Sequence, residues 1–148
     1  MVQIENFRKE MKPILSVIDR NQNEGLALIR VITGFFMVYH GWEIFEPVKM
    51  KGYFEWDQFK TSAWLAYAGK AAELIGGFFL AIGLFTRMAS LLIAGTMLYI
   101  SVFVGNGKVW YEDQHPFLFV LLALVFFFTG GGKYSFDHFF FNKPVSKY

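Results

Sequence analysis

Four runs of apolar residues, separated by short polar stretches, organise the chain. The first runs from about Leu26 to Phe45 (LALIRVITGFFMVYHGWEIF), and Pro47 closes it. The second runs from about Trp64 to Phe85 (WLAYAGKAAELIGGFFLAIGLF), and Thr86–Arg87 reads as a very short turn into the third, about Met88 to Val104. A polar loop, GNGKVWYEDQ, precedes the fourth, about His115 to Thr129, which stops at Gly130–Gly132. Roughly 20 mostly apolar residues in a helix suffice to cross the hydrocarbon core of a bilayer. The pattern therefore predicts an all-α integral membrane protein built as a four-helix bundle. A soluble fold is the competing reading, since the third run is short and the first two hold charges. Four runs of near-spanning length are hard to bury in one small soluble core.

The flanks read differently. Residues 1–24 are polar, with Ile4, Phe7, Met11, Ile14 and Ile18 at helical spacing and Pro13 as an expected interruption. This predicts an amphipathic segment lying at the membrane surface; a frayed terminus is the plainer alternative. Its many charges, with no long apolar core before a small-residue cleavage site, argue against a cleavable signal peptide, so the first apolar run is expected to act as an uncleaved anchor. Residues 46–62 mix Lys49, Lys51, Glu55, Asp57 and Lys60 with Tyr53, Phe54, Trp56 and Phe59, a composition that belongs at the interface. The tail carries Phe136, Phe139, Phe140 and Phe141 as interfacial anchors. The organisation expected is an interfacial segment at 1–24, a transmembrane domain at 25–138 and an interfacial tail at 139–148.

Composition sharpens this picture. Of 148 residues, 55% are hydrophobic and 19 are Phe, well beyond the usage of a soluble domain. A net charge of +2 is too mild to argue for nucleic acid. The absence of Cys excludes a thiol nucleophile, a disulfide relay, a Cys-ligated iron–sulfur cluster and any thiolate metal site. Lys and Arg set the orientation. Arg8, Lys9, Lys12, Arg20, Arg87, Lys133, Lys143 and Lys147 fall on one side, against Lys49, Lys51, Lys60 and Lys108 on the other. The richer side is expected to be cytoplasmic, which puts both termini there.

The chemistry lies in the ionisable residues inside the runs. A charge deep in a span costs about 2.5–3.5 kcal/mol on insertion scales, so each needs a partner or a wet cavity. Under this topology His40, Glu43, Lys70, Glu73 and His115 gather in the outer half. His40 and Glu43, and Lys70 and Glu73, are each three apart and share a helix face. Gly69, Glu73 and Gly77 form an i, i+4, i+8 stripe, and small residues let helices approach closely in lipid. The stripe should aim Glu73 into the bundle, toward His40 or Lys70. One reading is structural: an intrahelical Lys70–Glu73 pair, with His40 capping the first span. The functional reading is a pocket holding an acid, a base and a cation, ringed by Tyr39, Trp42, Tyr67, Tyr99 and Trp110. Such a pocket suits a quinone, with aromatic walls for a flat ring and His or Glu to exchange protons with its oxygens. Haem with His40 and His115 as axial ligands is a less favoured alternative. A di-iron site is excluded because no Glu-x-x-His pattern occurs on two helices. Arg30 is expected to be structural, either snorkelling to headgroups or bridging to Asp137.

Several of these residues also resemble a known family. Leu28-Ile-Arg30-x3-Gly34-x5-His40-Gly41 is similar to the first helix of DoxX-type proteins. Glu73-Leu-Ile-Gly76-Gly77, with Gly83-Leu-Phe-Thr86-Arg87-Met-Ala89, is similar to their second helix and the turn into the third. Gly132-Lys-Tyr134-Ser135-Phe136-Asp137 resembles their C-terminal motif. The resemblance covers about residues 25–138. It implies a four-helix inner-membrane protein of a bacterium. Relatives include a membrane subunit of thiosulfate:quinone oxidoreductase and components of oxidoreductase complexes linked to oxidative-stress defence. Others act in maturation of partner proteins, and some animal relatives are assembly chaperones. Arg30, His40, Gly41, Glu73, Gly77, Thr86, Arg87, Ser135 and Asp137 match the shared pattern. Many relatives have a Lys four residues after the His; Ile44 stands there instead, with Glu43 beside it. The resemblance implies a quinone-linked redox subunit working with a partner protein or as a homo-oligomer, or alternatively a non-catalytic membrane scaffold or assembly factor.

Overall fold

The computed structural model describes residues 2–141, with side chains for residues 3, 5 and 22–141. Every regular element among them is helical. They are α1 (Val2–Gly41), α2 (Pro47–Phe54), α3 (Ala63–Ile82), α4 (Thr86–Tyr99), α5 (Gln114–Thr129) and α6 (Phe136–Phe141). A 3-10 turn (Trp42–Phe45) follows α1, and a π turn (Ile100–Val104) extends α4. Three helical stretches are long and apolar enough to cross a bilayer: Gln22–Phe45, Ala63–Ile82 and Thr86–Val104. The fourth apolar run forms the 16-residue α5, about 24 Å at 1.5 Å per residue.

α1 packs on α3, α3 on α4 and α4 on α5. Glycine permits the closest of these contacts. A Cβ on Gly34 would strike the backbone of Gly77 and Ala81, and one on Gly77 would strike Met37 and Val38. Gly41 is pressed in the same way against Leu74. Gly76 faces Ile93 of α4. The core behind these seams is built from Met37, Leu80, Ile93, Ala123 and Phe126. Outside it the usual polarity is inverted. Phe35, Phe78 and Phe128 are exposed, while Arg30, Thr33, Glu73, Thr86, Ser90 and Ser101 are buried. That distribution is the one expected when hydrocarbon, not water, surrounds the helices. Ser90 and Ser101 satisfy their hydroxyls on the carbonyls of Thr86 and Met97, at 2.7 and 3.0 Å.

Several boundaries differ from the sequence expectation. α1 is one 40-residue helix that runs through Pro13, so the proline costs a hydrogen bond without ending the helix. The amphipathic face expected over 1–24 falls on side chains outside the described set, as does the tail beyond residue 141. The α3–α4 turn is Gly83–Phe85, and Thr86–Arg87 already belongs to α4. Gly83, at φ +72°, ends α3 by the left-handed route: its own N–H reaches Leu80 O and the Leu84 N–H reaches Phe79 O. Asp137 then starts α4, accepting the N–H groups of Phe85 and Thr86 at 2.6 and 2.8 Å. This cap places the end of α5 beside the beginning of α4, so α5 brings the chain back across the molecule.

A cavity walled by a carboxylate, two imidazoles and aromatic rings

A cavity of about 210 Å³ lies at the end of the molecule where α1 stops and α3 begins. α1 supplies His40, α3 supplies Gly69, Lys70 and Glu73, and the α4 end supplies Tyr99 and Ile100 of the π turn. π turns are rare and frequent at functional sites. His115 contributes from the first turn of α5. The remaining wall comes from the 46–62 segment, which does not simply lie along the interface. It folds into α2 and a following turn that bury Met50 and Phe59 against Ala66, bringing Tyr53, Trp56 and Phe59 over the cavity.

Lys70 is the hub. Its ammonium lies 3.0 Å from the Glu73 carboxylate one turn along α3 and 2.9 Å from Glu43 in the 3-10 turn. It also reaches the His40 carbonyl at 3.4 Å, near the end of α1. The Tyr53 hydroxyl donates to the same Glu43 oxygen at 2.5 Å, and the Tyr53 ring lies 5.0 Å from the Lys70 ammonium. Burial and the Glu43 carboxylate push the Tyr53 phenol above its ordinary pKa, which keeps it a donor. On the more exposed side of the cluster Lys49 closes on Glu43 and Glu46, each at 3.3 Å. Exposure falls along this series, from 46% for the Lys49 side chain through 16% for Glu43 and 13% for Lys70 to 2% for Glu73. Glu73 is thus a buried carboxylate with its cation beside it and an open cavity in front.

The two imidazoles meet edge to face at 5.7 Å between centroids, and Phe119 touches both. At about 210 Å³ the cavity is smaller than the roughly 300–1,000 Å³ pockets that enclose drug-sized ligands. It fits a single flat ring better than a porphyrin, which argues against the His40–His115 haem. No cluster of three or more metal-binding side chains occurs among the described residues.

The structure brings His40, Lys70, Glu73, Tyr99 and His115 into the cavity wall, while Glu43 stays outside it and joins the cluster through Lys70 and Tyr53. It does not bring in the other four aromatics. Tyr39, Trp42, Tyr67 and Trp110 are all exposed and do not line the cavity. Tyr39 precedes His40 on α1 and so points about 100° round the helix. Trp42 packs on Phe45, and Tyr67 on Phe54. Tyr53, Trp56 and Phe59 take their place, and sequence reasoning missed them. The available signal was Met50, Tyr53 and Phe54 at helical spacing after Pro47. Gly69 does not mediate close helix approach: a Cβ there meets nothing within 4 Å, and the residue leaves room in the cavity wall. Gly77 is the member of that stripe at a helix seam. Arg30 is buried and reaches the tail through the Tyr134 carbonyl at 2.7 Å, not through a contact ion pair with Asp137. Arg87 is exposed at the start of α4.

Spanning helices with apolar exteriors and a buried ionic cluster define a small helical membrane protein. The chain belongs to the DoxX family, whose profile matches residues 25–106, from the second half of α1 to just beyond the π turn after α4. An uncharacterized protein of Haemophilus influenzae is 30% identical, over 80% of this chain and 92% of its own length. A Bacillus subtilis protein named "Putative oxidoreductase CatD" is 32% identical, over 80% of this chain and 88% of its own. No solved structure matches the chain.

Proposed function

We propose that this DoxX protein is the membrane subunit of a quinone-linked oxidoreductase in a bacterial inner membrane, working with a partner subunit. In this reading both termini face the cytoplasm, α5 is the fourth crossing of a four-helix bundle, and the cavity is a quinone-ring site in the outer half. The observation that carries it is Glu73: a carboxylate 2% exposed, lining a cavity with two imidazoles and aromatic rings. Reduction of a quinone takes up two protons as two electrons arrive. Glu73 and His40 supply groups that exchange protons at the ring oxygens. In this reading the two electrons are delivered by a redox group of the partner subunit. The name of the Bacillus subtilis relative agrees with redox chemistry.

The test is direct. Protein purified in mild detergent should release quinone on solvent extraction. Glu73→Gln and His40→Ala should each retain about tenfold less, the size of one lost hydrogen bond to a charged group. One observation favours a second reading, an assembly factor or scaffold: Glu43, Lys70 and Glu73 already pair with one another. Quinone-free protein whose two variants keep full partner function would select that reading.

A further inference from the structure

The other end of the molecule holds a second concavity. The α3–α4 turn, the start of α4 and the Gly130–Gly132 loop after α5 surround an open basin of about 810 Å³. Arg87 and Lys133 line it and are both exposed. Neither is paired with a carboxylate among the described residues. Asp137 also lines the basin, but its two oxygens are held by the Phe85 and Thr86 N–H groups.

The floor adds an independent observation. Thr86 lines the basin, is fully buried, and its hydroxyl has no hydrogen-bond partner. That hydroxyl sits under Gly131, where a Cβ would approach it to 2.6 Å. Arg30, buried behind Gly83, leaves Nε and Nη1 without partners. These three are the buried side-chain polar atoms left unsatisfied among the described residues, and Ser135 lies between them. Buried polar groups without partners call for a bound water or ion. Two rim cations and a buried cation give the basin a positive field that Asp137 offsets only in part. Part of the wall is apolar: Phe85, Met88 and Phe141 line the basin and are exposed.

We propose that this basin seats the phosphate of an anionic phospholipid. Arg87 and Lys133 hold the headgroup, the Thr86 hydroxyl lies beneath it, and the acyl chains run along Phe85, Met88 and Phe141. Basic pockets between membrane helices bind phosphate headgroups for this reason. The apolar part of the wall favours a lipid over free phosphate, since a free ion gains nothing from it.

Native mass spectrometry of the full chain in neutral detergent tests this, with phosphatidylglycerol and phosphatidylcholine of identical acyl chains offered together. Phosphatidylglycerol should be retained preferentially. Arg87→Gln and Lys133→Gln, both at exposed positions, should each weaken retention about fivefold, the size of one cation near a charged headgroup. Thr86→Val should weaken it while Thr86→Ser keeps it. Lys108→Gln, at the opposite end, should change nothing. Inorganic phosphate alone is the second arm, read as a thermal shift. A phosphate-dependent shift that Arg87→Gln abolishes, without lipid preference, would overturn the lipid and assign the basin to free phosphate. Equal retention of both lipids with no phosphate shift, or a Lys108→Gln loss as large as that of Arg87→Gln, would overturn the site altogether.

Discussion

Lys70 sits between two carboxylates, so its removal should be the costliest change in the cavity. Taking away the cation leaves Glu73 and Glu43 facing each other across a poorly solvated space. Breaking a buried pair from one side costs about 3–5 kcal/mol. Lys70→Met should lower stability by that amount in detergent-based unfolding. The double variant Lys70→Met/Glu73→Gln should recover part of the loss, because one uncompensated charge is gone. Tyr53→Phe should cost less, about 1.5–3 kcal/mol, the range for a hydrogen bond to a charged group. Full additivity of the Lys70 and Glu73 effects would show that the two groups do not act as one unit. The ionic members of this cluster were legible in the sequence, since an embedded charge must find a partner. The Lys70 contact to Glu43 was not, because it depends on the 3-10 turn that swings Glu43 off the α1 helical path.

Among the elements, the α1–α3 seam and the α4 cap carry the sharpest expectations. Gly34 and Gly77 are pressed against backbone, so Gly77→Leu should separate the helices and fall in the range of about 1–3 kcal/mol or more expected for overpacking. Gly69→Ala meets no atom and should be neutral or stabilising by up to about 1 kcal/mol, as alanine is the better helix former. Thermal unfolding of the two variants side by side distinguishes the seam from the open wall. Asp137→Ala should cost about 0.5–2 kcal/mol through the loss of both acceptors at the start of α4. Hydropathy made the four apolar runs readable to within a few residues. The glycine stripe was readable only in part: sequence spacing gives a helix face, but which glycine touches a neighbour depends on where two axes cross. The 46–62 segment was the least readable, because its aromatic residues look alike whether they anchor in lipid or cap a cavity.

For the whole molecule, the Asp137 cap fixes a geometric relation that hydropathy leaves open. α5 is only about 24 Å long, yet it ends where α4 begins. If α4 crosses the bilayer, α5 recrosses it. The chain has no native Cys, so single-cysteine labelling can test this without background. Lys60→Cys and Lys108→Cys should react with a membrane-impermeant maleimide from the outer side of intact cells. Lys133→Cys should react only after permeabilisation. Labelling of residues 108 and 133 from the same side would mean that α5 does not cross.

Asp137 and the Tyr134 carbonyl also reach back to helices made much earlier. Synthesis delivers α1, α3 and α4 to the membrane before residues 134–137 exist. Until those residues emerge, Arg30 lacks its carbonyl acceptor and α4 lacks its cap. The last stretch of chain therefore acts as a clasp that closes after insertion. A protein truncated at Gly132 should insert but be cleared by quality-control proteases faster than the full chain.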